Sequence, residues 1–295
     1  MESGGPRLYR PGPPLSQHIN YLGYWCHDGA VGHRSTALPR GALTLVIELG
    51  NRDQVEFAAV GAPAGRVPAA FITGAGATSY VTQIDPGHTV MTVHFRPAGA
   101  RPFLAIPLGE LQDRCVGIED LWGAPARALR ARLTETLSAA ARFLILEQFL
   151  VDKMDVRDAR LGNLLRYVET DPSIGVAELC AMTSLSAKRL SALFRHEVGL
   201  GPKTYLRVRR LQAALRRLDA RDATGCGDRR RPRLLRPGPL RPRLSQLHRD
   251  HPEPVPESPV EPAQPSGPRH LGRKSTRPAD ITADTIERWT PDQMR

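Results

Sequence analysis

The chain has 295 residues, with 41 Lys and Arg against 30 Asp and Glu, and its net charge is +11. This length fits one large domain or two ordinary ones, and the positive charge favours a polyanionic partner such as nucleic acid or an anionic membrane surface. The four cysteines form no CxxC pair, which argues against a disulfide framework or a zinc site. No apolar stretch could span a bilayer and the N-terminus lacks an apolar core, so we expect a cytoplasmic protein without a membrane partner.

Short apolar runs punctuated by Gly and Pro extend from about Leu8 to Val116. Val90, Val93 and Phe95 can share a buried environment in one of these runs. Strands at roughly ten-residue spacing predict a small barrel or sandwich, so we assign residues 1–123 to a β-rich, barrel-like domain. The runs that predict strands are Ala42–Gly50, Gln54–Gly61, Ala69–Gly74, Thr78–Ile84 and His88–Pro97.

The pattern changes to a helical period after Gly109. Glu110–Gly123 predicts a short helical or looped connection, and Pro125–Asp152 predicts a helix with apolar residues three or four positions apart. We interpret its leucine stripe as core packing or a dimer seam. Residues 124–157 are therefore assigned to connecting helices, and helical character continues to about Ala220.

Three helices with a tight break are predicted within Leu161–Leu218. Ser186 is placed to cap the third helix, and Gly199 supplies its C-terminal stop. Such a helix, turn and capped helix form a helix-turn-helix, whose second helix enters the major groove of DNA. An ordinary helical hairpin with a solvated basic face is the alternative that the pattern leaves open. The predicted bounds are Leu161–Glu169, Val176–Met182, a break at Thr183–Leu185, and Ala187–Val198.

The third helix has a polar face and an apolar face. The apolar positions are Leu190, Leu193 and Phe194. The polar face carries side chains that suit phosphates and base edges, namely Lys188, Arg189, Ser191, Arg195 and His196.

This segment resembles the first helix-turn-helix of the AraC family of bacterial transcription regulators. The residues that carry the resemblance are Ser186, Leu190, Phe194, Gly199, Pro202, Tyr205, Arg210 and Leu211. The resemblance implies a DNA-binding domain at residues 158–222, with a linker helix at about Lys203–Leu218 and double-stranded DNA as the partner. The DNA-binding residues that it implies are Ser186, Ala187, Lys188, Arg189, Ser191, Ala192 and Arg195.

Within that set, the resemblance places Lys188, Ser191 and Ala192 toward the bases and Arg195 at the phosphates. Ala192 departs from the family, in which Arg is common at this position. The loss of a bidentate Arg–guanine contact removes on the order of 1–3 kcal/mol of discrimination. The sequence therefore predicts weak base reading at this point.

The N-terminal part resembles the sensor domains of AraC-type regulators, and Val93–Gly123 carries this likeness. Such domains are cupin-like barrels that bind a small-molecule effector or a second subunit, which implies an effector site and a homodimer. His88 and His94 could suggest a cupin metal site, but the chain has no HxH pair and no grouped Glu. We therefore expect no metal and no cofactor. Glu48 is either a ligand contact or a rim residue.

Residues 223–295 contain 13 of the 27 prolines, mixed with Arg-rich runs, and we expect them to be mostly disordered. The resemblance implies a second helix-turn-helix after Asp222, and the sequence has none there. Leu234–Leu244 can be encoded so that the frame displaced by one nucleotide spells Tyr-Phe-Asp-Gln-Ala-His-Phe-Val-Arg-Asp-Phe. That peptide resembles the recognition helix of the family's second unit. We hypothesise a frameshift near Ala223, by mutation or by a gene-reading error.

These observations predict an α+β protein: a β-rich, barrel-like sensor domain, then an all-α helix-turn-helix domain and a disordered tail. The predicted function is sequence-specific regulation of transcription in response to a signal. The alternative is a truncated, defective regulator that keeps its sensor and dimer contacts but binds DNA weakly and mostly nonspecifically. Because the sequence has no nucleophile motif, carboxylate pair or Gly-rich phosphate loop, we do not expect an enzyme.

Overall fold

The computed structural model describes residues 7–27, 32–50, 52–60, 63, 65–155 and 161–224. Within them a β domain is followed by seven helices, which confirms the predicted α+β order. The predicted tail and the proposed frameshifted segment begin at about residue 223. From residue 225 onward they lie outside the described residues. No helix among the described residues is long and apolar enough to cross a membrane.

Ten strands form two antiparallel sheets, so the described strands do not close into one continuous barrel. The first sheet has the order β1-β2-β9-β4-β7-β10 and the second β3-β8-β5-β6. The strands are β1 (Arg7–Tyr9), β2 (Ile19–Cys26), β3 (His33–Ala37), β4 (Thr44–Glu48), β5 (Gln54–Ala59), β6 (Gly65–Pro68), β7 (Ala70–Thr73), β8 (Tyr80–Ile84), β9 (Thr89–Phe95) and β10 (Cys115–Gly117).

Each predicted strand segment contains one of these strands, whereas β1, β2, β3, β6 and β10 were not predicted. The strand β10 corrects the expectation that Glu110–Gly123 is only helical or looped. It pairs with β7, with Val116 opposite Ile72, so this segment extends the first sheet.

The two faces of the first sheet have different neighbours, because alternate residues of a strand point to opposite faces. Val93 lies opposite Leu45 and Leu22, and all three belong to the core that includes the helices. Val90 lies on the other face, so it does not share the environment of Val93 as predicted. That other face meets the second sheet, where the rings of Phe71 and Phe57 are 5.3 Å apart.

The connecting segment contains three helices, α1 (Ile118–Trp122), α2 (Ala124–Glu135) and α3 (Ala139–Lys153). The single helix predicted over Pro125–Asp152 is therefore wrong. Thr136 leaves helical geometry, and Ser138 caps α3 by accepting a hydrogen bond from the backbone N–H of Ala141 at 3.4 Å. Leu137 belongs to the predicted apolar stripe but is 92% exposed, because it lies in this break.

The remaining helices are α4 (Gly162–Thr170), α5 (Val176–Thr183), α6 (Ala187–Glu197) and α7 (Pro202–Thr224). Their buried side chains belong to the same apolar core as those of the first sheet. Gln212 on α7 also donates a hydrogen bond to the backbone carbonyl of Pro39 in the β domain, at 2.5 Å. The helical part is thus packed directly on the β domain.

Candidate DNA-binding site

The helices α5 and α6 are joined by a short turn that contains a residue in the left-handed backbone conformation. Ser184 ends α5 with a φ of 54°, in the left-handed region, and only three residues separate α5 from α6. The hydroxyl of Ser186 then accepts a hydrogen bond from the backbone N–H of Arg189 at 3.4 Å. This satisfies one of the free N–H groups at the start of α6, as the sequence predicted.

The end of α6 is fixed by glycine geometry. Gly199 has a φ of 91°, and its N–H bonds to the carbonyl of Phe194 at 3.2 Å. A residue without Cβ adopts this conformation at low cost, and Pro202 then begins α7 at a position where its missing N–H is harmless. The observed α6 ends at Glu197, one residue before the predicted Val198.

A small core holds α6 against α4, α5 and α7. Leu190 and Phe194 are fully buried, and the ring of Phe194 lies 5.7 Å from that of Tyr205 on α7. Leu179 of α5 is also fully buried. These contacts leave the opposite side of α6 facing outward.

Arg210, a residue of the family-like pattern, clamps the loop between α4 and α5. Its guanidinium donates hydrogen bonds to the carbonyls of Pro172, Ser173 and Ile174 at 2.9, 3.3 and 2.9 Å. The long helix α7 therefore fixes the start of the helix-turn-helix as well as its end. Sequence reasoning named Arg210 only as part of a pattern and did not assign it this contact.

The predicted DNA-binding residues extend from the cap of α6 to Arg195 in its last turn. All of them are solvent-exposed except Ser191, which is half-buried: Ser186, Ala187, Lys188, Arg189, Ser191, Ala192 and Arg195. Lys188, Arg189 and Arg195 make no ion pair with any described residue. Their charges are therefore available to an anionic partner.

Two other residues of α6 lie at its boundary with the β domain, and His196 departs from the prediction. His196 is half-buried rather than on the open polar face: its Nε2 lies 3.5 Å from Nη2 of Arg101, and its Nδ1 lies 2.9 Å from Oε1 of Glu197. Leu193 is half-buried: it packs against the apolar core, as predicted, and also lines a cleft. Both residues face the β domain, which the sequence pattern of α6 could not show.

The two candidate metal ligands of the β domain, His88 and His94, lie near opposite ends of the strand β9. His94 lies between the sheets, with its ring 4.2 Å from that of Tyr21 and its Nε2 3.0 Å from Oγ1 of Thr92. Burial, reinforced by the neighbouring Arg40, holds the pKa of His94 well below its usual value, so its imidazole is neutral. Among the described residues, no three His, Cys, Asp or Glu side chains group closely enough to hold a metal ion.

Glu48 is 2% exposed and lies against α2. Its Oε2 is 3.8 Å from Nη2 of Arg130, which also donates to the carbonyls of Glu48, Gly50 and Arg52 at 3.1, 3.2 and 2.6 Å. Burial raises the pKa of the Glu48 carboxyl above its ordinary value, and the backbone N–H of Gly50 and the charges of Arg130 and Arg52 only partly oppose this. Its contacts are those of a buried residue that attaches α2 to β4.

Residues 7–117 match the sequence model of a family described as a domain of unknown function (DUF6597). This range runs from the start of β1 to the end of β10. No curated protein matches the chain.

Solved structures that align with this chain include two of ToxT from Vibrio cholerae. A ToxT variant aligns over 66% of this chain and 82% of its own, at 9% identity and a TM-score of 0.38. ToxT in another crystal form covers 66% and 83%, at 7% identity and a TM-score of 0.35. CuxR, described as an AraC-like transcriptional activator, covers 71% and 85%, at 14% identity and a TM-score of 0.28. These values assign no function, so the site is assigned from the side chains described above.

Proposed function

We propose that this chain is a sequence-specific, DNA-binding transcription regulator of the AraC type, with α6 as its recognition helix. The observation that carries the proposal is the exposed basic face of a capped helix in a helix-turn-helix, which forms no ion pair with any described residue. The proposed sensor domain is residues 1–123 and the proposed DNA-binding domain is residues 158–222. Residues 124–157 form the helices that connect the two domains.

The charges on α6 support two kinds of contact. Lys188 lies one turn before Ala192 and at the start of α6, which is the part of a recognition helix that meets base edges. Arg195 lies two turns after Lys188 on the same face of α6, and its guanidinium can bond to a phosphate of the DNA backbone. Because neither has an ion-pair partner among the described residues, neither must break a salt bridge before it binds DNA.

Selection from a pool of duplexes with a randomised centre, using the full chain, tests this function. We expect an enriched sequence that binds more tightly than the pool at physiological salt. Lys188→Ala should remove about 1–3 kcal/mol of discrimination at one position of that sequence. Arg195→Ala should weaken binding to all duplexes and lower the slope of log affinity against log salt by about 1.

Arg132→Ala is the matched control, because Arg132 is an exposed arginine on α2, outside the helix-turn-helix. It should leave both the selected sequence and the salt slope unchanged. If no sequence is enriched and all binding disappears at physiological salt, sequence-specific regulation is contradicted. That result would instead favour the defective regulator, in which one remaining helix-turn-helix and general charge give only nonspecific attraction.

A further inference from the structure

The long helix α7 carries positively charged side chains along one face. Its segment Pro202–Leu218 contains six basic residues and no acidic residue. Four of the six recur at intervals of three or four residues, or at twice that interval, which places them on one side of a helix. We call this set the basic row, and its members are Lys203, Arg207, Arg210 and Arg217. Ala214 occupies the remaining position of the same row.

The basic row is open to solvent, and described carboxylates do not neutralise it. All four of its side chains are exposed, and none forms an ion pair with any described residue. The guanidinium of Arg210 donates to neutral backbone carbonyls, which leave its charge unbalanced. By contrast, Arg209 on another face of α7 lies 3.2 Å from Oε1 of Glu169. The row therefore presents positive charge to an anionic partner.

The β domain packs on a different face of α7. A Cβ added to Gly41 would lie 3.3 Å from the ring of Tyr205 and 3.4 Å from the side chain of Val208. Gln212 donates to the carbonyl of Pro39. Positions 205, 208 and 212 are three or four residues apart, so they define a side of α7 that does not include the basic row. A macromolecule can therefore reach the row while the β domain stays in place.

The basic row passes the start of α5, which is the first helix of the helix-turn-helix. Arg210 places its guanidinium on the carbonyls of Pro172 and Ile174, in the loop directly before α5. In DNA complexes of helix-turn-helix domains, the first helix crosses the sugar-phosphate backbone while the second enters the major groove. The row thus lies next to the path of the backbone when α6 occupies the groove, a step that rests on the proposed function.

The length of the basic row suits a phosphate backbone. From Lys203 to Arg217 the helix rises about 21 Å, at about 1.5 Å per residue. One DNA strand carries a phosphate about every 3.4 Å along the duplex axis. A row of this length can therefore follow several consecutive phosphates of one strand.

We propose that the basic row of α7 is a second DNA contact surface, which binds the phosphate backbone outside the groove that α6 enters. Its occupant is duplex DNA, held through phosphates rather than through base edges. Because every base pair carries the same phosphates, this contact adds affinity without base preference. It extends the DNA-binding surface beyond the helix-turn-helix.

Salt titration of DNA binding by the full chain tests the basic row. The double variant Arg207→Gln, Arg217→Gln removes two of its charges, whereas Arg210 is kept because it holds the loop before α5. The slope of log affinity against log salt should fall by about 2, and binding at physiological salt should weaken roughly tenfold. The loss should be equal for the selected duplex and for a random duplex. Ala214→Arg fills the gap in the row and should raise the slope by about 1.

The matched control is the double variant Arg66→Gln, Arg132→Gln, which removes two exposed arginines on β6 and α2. It should leave the salt slope unchanged. To separate direct contact from general charge, each phosphate of the selected duplex is replaced in turn by a neutral methylphosphonate. At one or two positions, this replacement should weaken binding of the parent but not of the Arg207→Gln, Arg217→Gln protein.

An unchanged salt slope in the folded Arg207→Gln, Arg217→Gln protein, or an equal loss in the control, would overturn the basic row. So would methylphosphonates that affect the parent and this variant alike at every position. If the chain selects a DNA sequence but this variant keeps the parent's slope, the row fails and the proposed function stands. If the chain selects no sequence but this variant lowers the slope on random duplexes, the row stands and the proposed function fails. Binding to phosphatidylglycerol vesicles that the variant loses, with DNA binding kept, would assign the row to a membrane surface instead.

Discussion

At the scale of single residues, Ala192 is an exposed position on the base-facing side of α6 that bears no functional group. A longer donor there could reach a base edge in the major groove. We predict that Ala192→Arg tightens binding to the best selected duplex by about 1–3 kcal/mol, because Arg can bond a guanine through two hydrogen bonds. Selection with the parent and the variant should show a new guanine preference at one position.

The control for this change is Ala181→Arg, which adds the same charge on an exposed position of α5. It should raise affinity for all duplexes by a similar factor and change no base preference, because general charge attracts DNA regardless of sequence. If Ala192→Arg behaves in this way too, the assignment of Ala192 to the bases is wrong.

The cap of α6 gives a second prediction at the residue scale. Ser186→Ala removes the acceptor for the N–H of Arg189 and should lower the free energy of unfolding by about 1 kcal/mol. Ser186→Asp keeps an acceptor at the cap and should retain most of this stability. Urea titration of the three proteins measures the difference, and equal stability of the Ala and Asp variants would argue against the cap.

At the scale of elements, the attachment of α2 to β4 through Glu48 makes stability depend on pH. The pKa of Glu48 is raised in the folded protein by burial, so folding favours the protonated carboxyl. The stability that this carboxyl contributes is therefore fully present below the pKa that Glu48 has in the unfolded chain. It is lost as the pH rises through the pKa that Glu48 has in the folded protein. Glu48→Gln should match the parent near pH 4 and be more stable than it near pH 7, by roughly 1 kcal/mol.

Thermal unfolding of both proteins across this pH range is the measurement. Asp53→Asn, an exposed carboxylate change in the loop before β5, is the control and should show no such trend. A parent that gains stability over Glu48→Gln as the pH rises would mean that the ion pair with Arg130 outweighs burial.

Elements defined by local signals could be predicted from the sequence, and elements defined by distant contacts could not. The helix α6 was predicted within one residue because Ser186 and Gly199 mark its ends. The break between α2 and α3 was missed because it contains neither Gly nor Pro and the apolar period continues through Leu137. The cleft was not predictable, since Arg101 and His196 are distant in sequence and meet only when α6 packs on the β domain.

At the scale of the whole molecule, the β domain and the helices share one apolar core. Val93 of β9 and Tyr205 of α7 belong to the same cluster of buried residues. A continuous core predicts that both parts unfold in one cooperative transition. Tryptophan fluorescence in a Trp289→Phe background reports on Trp25 and Trp122 in the N-terminal half. Far-UV circular dichroism reports mainly on the helices, and the two should give the same denaturation midpoint.

A close backbone approach between the two parts lies at Gly109. It belongs to a short 3-10 turn, Leu108–Leu111, and a Cβ on it would lie 2.9 Å from the backbone carbonyl oxygen of Arg195 on α6. Neither backbone can move aside freely, so Gly109→Ala should force α6 away from the β domain. We predict a loss of about 1–3 kcal/mol in stability and separate midpoints for fluorescence and circular dichroism. Gly12→Ala, where a Cβ would meet nothing within 4 Å, should change neither. Coincident midpoints in a destabilised Gly109→Ala protein would show that the shared core, rather than this contact, couples the β domain to the recognition helix.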